Sequence, residues 1–157
     1  MLLARLGLRA GEVAGIQLDD VDWRAGELLV RGKGSRQDLL PLPVDLGEAI
    51  VSYLRYRPRC ECRALFLRVT APRGALNRST VGWVVRAACD RAGLPRVGAH
   101  RLRHTAATEM LRAGASLAEI GQVLRHREQK TTAIYAKVDR TALRALARPW
   151  PSQGGVA

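Results

Sequence analysis

A glycine-rich turn between two short apolar runs limits what this chain can fold into. The runs GELLV and QDLLPL flank the segment RGKGSR, which predicts a β-hairpin with strands at Glu27–Val30 and Asp38–Leu42 and a basic tip. Beyond the hairpin, Leu65–Leu67 suggests one further short strand. The other periodic segments predict helices, so the expected fold class is mainly α with a small antiparallel β-sheet, an α+β fold.

Helical patterns occupy most of the remaining sequence. Asp45 with Glu48, and Ser116 with Glu119, have the three-residue spacing of a capping box, and Ser79 opens another helix. The predicted helices are Met1–Leu8 (ending at Gly7 or Arg9), Glu12–Gln17, Asp45–Arg57, Ser79–Ala92, His100–Ala113, Ser116–Leu124, Thr131–Val138 and Thr141–Ala147.

The chain is strongly basic. Lys and Arg number 26 against 14 Asp and Glu, a formal net charge of +12. Such an excess repels itself in a compact state unless a polyanion offsets it, so nucleic acid is the expected partner class. Most of the cations are arginines, which suit bidentate phosphate contacts. The alternative is that a GC-rich genome enriches arginine for reasons unrelated to binding.

Cysteine usage and hydropathy indicate a cytoplasmic protein. Cys60, Cys62 and Cys89 form neither a disulfide scaffold nor the usual zinc-ligand spacing, which is typical of reduced thiols. The start MLLARLGLRAGE lacks the pattern of a signal peptide. No apolar run approaches the ~20 residues of a membrane span, so no membrane partner is expected.

The segment HRLRHTAATEMLRAG, residues 100–114, predicts a helix whose first turn is crowded with basic side chains. Helix N-termini favour anions because the helix dipole places about half a positive charge there. His100 and Arg103 are three residues apart and share a face, whereas His104 lies on a neighbouring line and points partly elsewhere. The pattern predicts a bound anion such as phosphate; the alternative is a solvated charged face.

Three more residues have two interpretations each. Arg9 in GLRAGE follows a helix break, where it projects from a turn or caps the helix carbonyls. Lys33 stands between glycines at the hairpin tip, where it approaches another surface or is simply solvated. Tyr135 in TTAIYAKV, taken alone, is typical of a surface residue, and no carboxylate cluster near it suits a two-metal site.

Six of these polar residues occur in a characteristic order: Arg9, Lys33, His100, Arg103, His126 and Tyr135. The stretches GLRAGEVAGIQLDDVD, VRGKG, HRLRHTAAT and LRHREQKTTAIYAKV resemble the catalytic domain of the tyrosine recombinases, also called the phage integrase family. The specific part is HxLRHT followed by TTxxYAKV. The resemblance covers the chain from residue 2 to about residue 147.

The resemblance implies a tyrosine recombinase catalytic-domain fold and a DNA-cutting activity. Tyr135 would attack a phosphodiester, forming a 3′-phosphotyrosyl bond and freeing a 5′-hydroxyl. Arg9 and Arg103 would hold the non-bridging oxygens, where charge develops in the transition state. Lys33 would be the general acid for the leaving 5′-oxygen.

The remaining roles also follow from the resemblance. His100 would act in proton transfer near the tyrosine, and His126 would hydrogen-bond the phosphate. Glu12 matches the acidic residue after the first arginine and would support the site. His104 and Thr105 match the motif and are expected to be structural. No metal or other cofactor is implied, because the covalent bond conserves the phosphodiester energy.

The sequence departs from the family pattern at residue 125. Arg125 stands where the family usually has glycine, before the last histidine. If that position requires a positive φ, arginine adds strain of ~1 kcal/mol or more. We expect such strain to displace His126 and to slow the reaction without abolishing it.

The expected domain organisation is one catalytic domain at residues 1–148 and a flexible tail at 149–157. The chain starts inside the first catalytic-domain helix, so it is expected to be an N-terminally truncated integrase without the core-binding domain. The partner would be double-stranded DNA in the cytoplasm, in association with the nucleoid. Val138, Leu143 and Leu146 would pack either on their own domain or on a neighbouring subunit of a homo-tetramer.

Two functions remain open alongside a site-specific recombinase or integrase. The first is a truncated, catalytically weak or inactive DNA-binding remnant of an integrase, which the truncation and Arg125 favour. The second is a type IB topoisomerase, which has the same chemistry without a partner site and which the HRLRHT element disfavours.

Overall fold

The computed structural model describes residues 1–125 apart from Lys33, Ser35 and Pro72. The predicted helices Thr131–Val138 and Thr141–Ala147 and the predicted tail at 149–157 lie outside the described residues. The chain divides into two compact units, Met1–Ala107 and Thr108–Ala157. No helix in the described part of the chain has the length and apolar character needed to span a membrane.

The predicted fold class is confirmed: the described residues form helices and one small antiparallel sheet. The helices are α1 (Leu2–Arg5), α2 (Ala10–Gly15), α3 (Val44–Tyr56), α4 (Arg78–Arg91), α5 (Ala99–Arg112) and α6 (Leu117–Val123). The strands are β1 (Val21–Asp22), β2 (Glu27–Arg31) and β3 (Gln37–Pro41), and a 3-10 turn covers Leu18–Asp20.

The predicted hairpin forms two of the three strands of the sheet, with β2 in the centre. Strand order is β1-β2-β3, and Leu28 pairs with Leu40 in an antiparallel register that continues to Arg31 opposite Gln37. Leu28 and Val30 are fully buried, as the two-residue period of a strand requires. Strand β1 was not predicted, because two residues are too short to show a periodicity.

The predicted strand at Leu65–Leu67 is wrong. Only isolated bridges occur, Gln17 with Ala64 and Leu67 with Ala75. The guanidinium of Arg57 donates to the carbonyls of Cys62 (2.6 Å), Ala64 (2.8 Å) and Leu65 (3.2 Å). A side chain therefore satisfies carbonyls that a neighbouring strand would otherwise pair.

Helix ends agree with the sequence in α6 but not in α3 or α4. Ser116 and Glu119 form the predicted capping box, with Ser116 N donating to Glu119 Oε2 at 2.7 Å. Helix α3 has no side-chain cap; Asp45 instead pairs with Arg5 at 3.1 Å. Helix α4 is capped by Asn77, whose Oδ1 accepts from Thr80 N at 2.8 Å, so it begins before Ser79.

Helix α1 ends at Arg5, short of the predicted Leu8, because Gly7 takes a left-handed conformation with φ 59°. Glycine adopts this region without steric cost and commonly ends a helix. Leu2 and Leu3 remain buried in the core of the first unit.

That core joins residues of β1 and β2 with residues of helices α1 to α5, and two of its members, Leu8 and Ala99, lie at the starts of α2 and α5. Its members are apolar and buried: Leu2, Leu3, Leu8, Val13, Ala14, Ile16, Val21, Leu28, Val30, Leu46, Ile50, Leu65, Val81, Val85 and Ala99. Because Leu8 precedes α2 and Ala99 opens α5, burying them places the polar residues that follow each of them.

Candidate active site

Arg9 is held by a buried carboxylate at the start of α2. Glu12 Oε2 accepts from the backbone N–H of Arg9 at 2.7 Å, and Glu12 Oε1 accepts from Arg9 Nη1 at 2.6 Å. The Glu12 side chain is 5% exposed and that of Arg9 is 47% exposed. One carboxylate therefore satisfies a helix-start N–H and orients a guanidinium that faces solvent.

Arg103 lies in α5 and is buried, with 3% of the residue exposed. Its Nη1 donates to the carbonyl oxygen of Gly7, two residues before Arg9. A buried guanidinium requires hydrogen-bonding partners, and this carbonyl is one of them. Arg103 thereby ties α5 to the connection that carries Arg9.

His100 and His104 form a contact pair at the start of α5. Their Nε2 atoms are 2.6 Å apart, and the ring centroids are 4.2 Å apart at an interplanar angle of 88°. His104 was expected on a neighbouring line, pointing partly elsewhere; its ring instead contacts His100, because residues four apart on a helix lie side by side. A hydrogen bond between two ring nitrogens needs one donor and one acceptor, so only one of the two Nε2 atoms can carry the proton.

The pKa of His104 is lowered, first by burial, which disfavours the charged ring, and then by the charges of His100, Arg101 and Arg103. A lowered pKa favours the neutral imidazole of His104, which can accept a hydrogen bond from His100. Thr105 donates its hydroxyl to the Arg101 carbonyl at 3.0 Å, a contact within the helix of the structural kind expected for that residue.

His100 and Arg103 differ in burial although they are three residues apart. His100 is exposed and Arg103 is buried. An anion at this helix start would therefore meet the imidazole at the surface, with the guanidinium beneath it. The structure confirms the helix whose first turn carries these basic side chains; their use for an anion stays a prediction.

Lys33 belongs to the turn between β2 and β3 and lies outside the described residues. The turn closes with Gly32 N donating to the Arg36 carbonyl at 2.8 Å. Gly34 has φ 78°. At the base of the turn, Arg31 pairs with the buried carboxylate of Asp20.

His126 and Tyr135 also lie outside the described residues, but the position before His126 does not. Arg125 has φ 55°, the sole positive φ of a non-glycine residue in the described part of the chain. Residue 125 therefore has the positive φ on which the expected strain depends. Arg125 is 6% exposed, and its Nη1 donates to the Val123 carbonyl at 3.4 Å.

Sequence reasoning missed the contacts of three residues: Gly7, which accepts from Arg103, and Asp20 and Arg31, which pair beside the β2–β3 turn. The sequence marks Gly7 only as a helix end, and no local pattern shows that its carbonyl accepts a hydrogen bond from a side chain of α5. Asp20 is 3% exposed, and a carboxylate that is buried needs a partner. The pairing with Arg31 spans 11 residues, so no helical or hairpin spacing reveals it.

The profile of the phage integrase family matches residues 1–141. The chain belongs to the phage integrase family. The match begins before Arg9 and extends beyond Tyr135, so the whole predicted catalytic set falls within the family domain.

Curated relatives carry the family's names. The chain is 56% identical over 157 residues to the putative integrase/recombinase y4rA of Sinorhizobium fredii, covering 98% of this chain and 38% of that protein. It is 39% identical over 152 residues to tyrosine recombinase XerD of Mycobacterium tuberculosis, covering 92% and 48% respectively. The chain thus spans less than half the length of these two relatives.

Solved structures of family members have the same fold. The crystal structure of XerA recombinase superposes with a TM-score of 0.78 at 31% identity, covering 95% of this chain and 56% of that one. XerH recombinase in a post-cleavage complex with a palindromic difH substrate gives a TM-score of 0.76 at 25% identity, covering 96% and 44%.

Proposed function

We propose that this chain is the catalytic domain, residues 1–148, of a site-specific recombinase or integrase that cuts and rejoins double-stranded DNA through a 3′-phosphotyrosyl intermediate. The observation that carries the proposal is that two guanidinium groups are each held by a hydrogen-bond partner, Arg9 by Glu12 and Arg103 by the carbonyl of Gly7, two residues before Arg9. Family membership and the DNA complex of XerH support it.

The proposed cleavage step balances without any co-reactant. The Tyr135 hydroxyl oxygen forms a bond to phosphorus while the bond from phosphorus to the 5′-oxygen breaks. The tyrosine proton goes to His100, and Lys33 gives a proton to the departing 5′-oxygen, which leaves as a hydroxyl. A 5′-hydroxyl of a partner strand then reverses the step and reseals the backbone.

The two arginines would stabilise the charge on the non-bridging oxygens of the scissile phosphate. Such stabilisation is effective when the donors are already fixed before the reaction, since no reorganisation is then required. The buried carboxylate of Glu12 supplies that fixation for Arg9. His126 would add a hydrogen bond to the same phosphate.

The proposed partner is double-stranded DNA in the cytoplasm, in association with the nucleoid, and the net charge of +12 supports it. No cofactor is required, because each bond broken is replaced by one of similar energy. A homo-tetramer on paired sites, with the segment around Leu143 and Leu146 at a subunit interface, belongs to the same proposal.

One observation favours a second candidate, a weakly active or inactive DNA-binding remnant. Arg125 takes φ 55° directly before His126, a conformation that is strained for any residue with a β-carbon. Strain at this position would misplace His126 and lower the cleavage rate, leaving DNA binding by the basic surface unchanged.

Covalent trapping on DNA tests the proposal. The full chain is incubated with labelled, nicked duplexes that include the DNA flanking its own gene, and the products are separated on denaturing gels beside Tyr135→Phe. A protein–DNA band that is lost in the variant supports the recombinase. DNA binding by both proteins with no band from either supports the remnant.

A further inference from the structure

A buried carboxylate stands at the base of the hairpin turn that includes Lys33. Asp20 ends the 3-10 turn before β1, and its side chain is 2% exposed. Asp20 Oδ2 accepts from Gln17 N at 2.8 Å and from the guanidinium of Arg31, the last residue of β2. Arg31 itself is 46% exposed.

The sheet leaves this end of β2 supported on one side only. Pairing between β1 and β2 stops at Val21 opposite Leu28. Past that point β2 pairs only with β3 among the described residues, as far as Arg31 opposite Gln37. The Asp20–Arg31 ion pair therefore replaces strand pairing on the open edge, next to the turn.

The Asp20–Arg31 pair leaves one polar atom of Asp20 without a hydrogen bond. Asp20 Oδ1 is buried and has no hydrogen-bond partner among the described residues. A buried carboxylate with an unpaired oxygen is a poor device for stability, since desolvation offsets much of its attraction to arginine. The Asp20–Arg31 pair is therefore better explained as a contact that positions the chain than as one that stabilises the fold.

We propose that Asp20 and Arg31 are positioning residues that hold the turn carrying Lys33 in register with the reacting phosphate. This inference rests on the proposed function, in which Lys33 protonates the leaving oxygen. Lys33 follows Arg31 by two residues, so movement of the strand end passes directly into the turn. A general acid must come within about 3 Å of its target, whereas phosphate binding by Arg9 and Arg103 does not involve this turn.

The first test needs no DNA cleavage and follows hydrogen exchange of the Gly32 amide, which donates to the Arg36 carbonyl. In Arg31→Gln and in Asp20→Asn, exchange of this amide should rise about 10-fold while amides of α4 keep their protection. The matched control is Arg63→Gln, because Arg63 pairs with Asp19 in the same 3-10 turn but on an exposed surface. Unchanged exchange at Gly32 in both variants overturns the inference.

The second test separates positioning of the acid from a general loss of structure. Covalent complex formation is compared on the same nicked duplex with an ordinary phosphate and with sulfur in place of the leaving 5′-oxygen. A thiol ionises near pH ~8.5, far below an alcohol, and so departs without a proton donor. Arg31→Gln should cleave the oxygen substrate about 10-fold more slowly than the natural chain and the sulfur substrate within about 2-fold.

Lys33→Ala on the same two substrates distinguishes the inference from the proposed function. If sulfur restores cleavage by Lys33→Ala but not by Arg31→Gln, the positioning role of Asp20 and Arg31 is wrong, and Lys33 remains the proposed general acid. If sulfur restores neither variant, the general-acid role of Lys33 fails, and exchange at Gly32 alone then decides whether Asp20 and Arg31 hold the turn.

Discussion

The Arg9–Glu12 contact shows how one side chain sets the geometry of another. Glu12 is almost completely buried, and both of its oxygens are directed to Arg9, one to the backbone N–H and one to the guanidinium. The arginine remains about half exposed. A carboxylate in this position contributes more to the orientation of the arginine than to stability, because a solvated guanidinium gains little from an ion pair.

Glu12→Gln should therefore reduce cleavage more than stability. The amide keeps one acceptor for the Arg9 N–H but loses the charge, so the unfolding free energy should fall by about 1 kcal/mol. Misplacement of Arg9 should slow covalent complex formation by about 10- to 100-fold. Rates come from the trapping assay and stability from urea unfolding.

Glu109→Gln is the matched control, since Glu109 also pairs with an arginine three residues on, Arg112, at 2.7 Å, but on an exposed surface. It should change neither quantity. Equal rate losses in the two variants would contradict a specific role for Glu12.

Arg125 offers a gain-of-function test. Arg125→Gly removes the cost of a left-handed conformation, about 1 kcal/mol. Relief of the strain should speed covalent complex formation severalfold while leaving DNA affinity nearly unchanged. Gln122→Gly, in the exposed face of α6, should instead lower stability by about 1 kcal/mol. A slower Arg125→Gly would mean that the arginine side chain itself contributes to the reaction.

One arginine side chain, Arg57, holds a segment between the helices and strands through hydrogen bonds to its carbonyls. The segment after α3 has no continuous strand partner, and Arg57 bonds three of its carbonyls. Leu65 is fully buried at the end of this segment. Arg57 thus fixes the path of the chain from α3 back to the core.

Arg57→Met should lower the free energy of unfolding by about 2–3 kcal/mol, because three part-buried carbonyls lose a charged donor. Urea unfolding measures the loss. Arg59→Met, two residues away and exposed, should stay within about 0.5 kcal/mol of the natural chain. Similar losses from both substitutions would show that the carbonyls find other donors.

If the proposed function is right, the net charge of +12 should give this protein a salt-sensitive affinity for DNA. Each phosphate neutralised releases counterions, so the logarithm of the binding constant falls linearly with the logarithm of salt concentration, by about 0.9 per contact on duplex DNA. Arg9→Gln should reduce that slope by about 1. Arg63→Gln should not, because Arg63 is not among the residues proposed to contact the phosphate.

Fluorescence anisotropy with a labelled duplex, measured between 50 and 200 mM salt, gives these slopes. Over this salt range the affinity of a protein with six phosphate contacts should fall by a factor of about 10³. A flat dependence on salt would contradict binding through the basic side chains and would attribute the charge to composition alone.

Local signals in the sequence were sufficient for several features. The glycine-rich turn predicted the β2–β3 hairpin, and Ser116 and Glu119 predicted the cap of α6. Each depends on atoms within about four residues of one another, so the sequence contains the complete interaction.

Other features depended on residues that are distant along the chain. The hydrogen bond between Arg103 and Gly7 joins positions 96 apart. Arg57 bonds the Leu65 carbonyl, where a short strand was predicted. Asp45 lost its predicted capping role to an ion pair with Arg5. Burial and partner choice depend on which segments meet when the core closes. Packing of Leu8 and Ala99 in that core, and not any local pattern, places Arg103 where its guanidinium bonds the Gly7 carbonyl, two residues before Arg9.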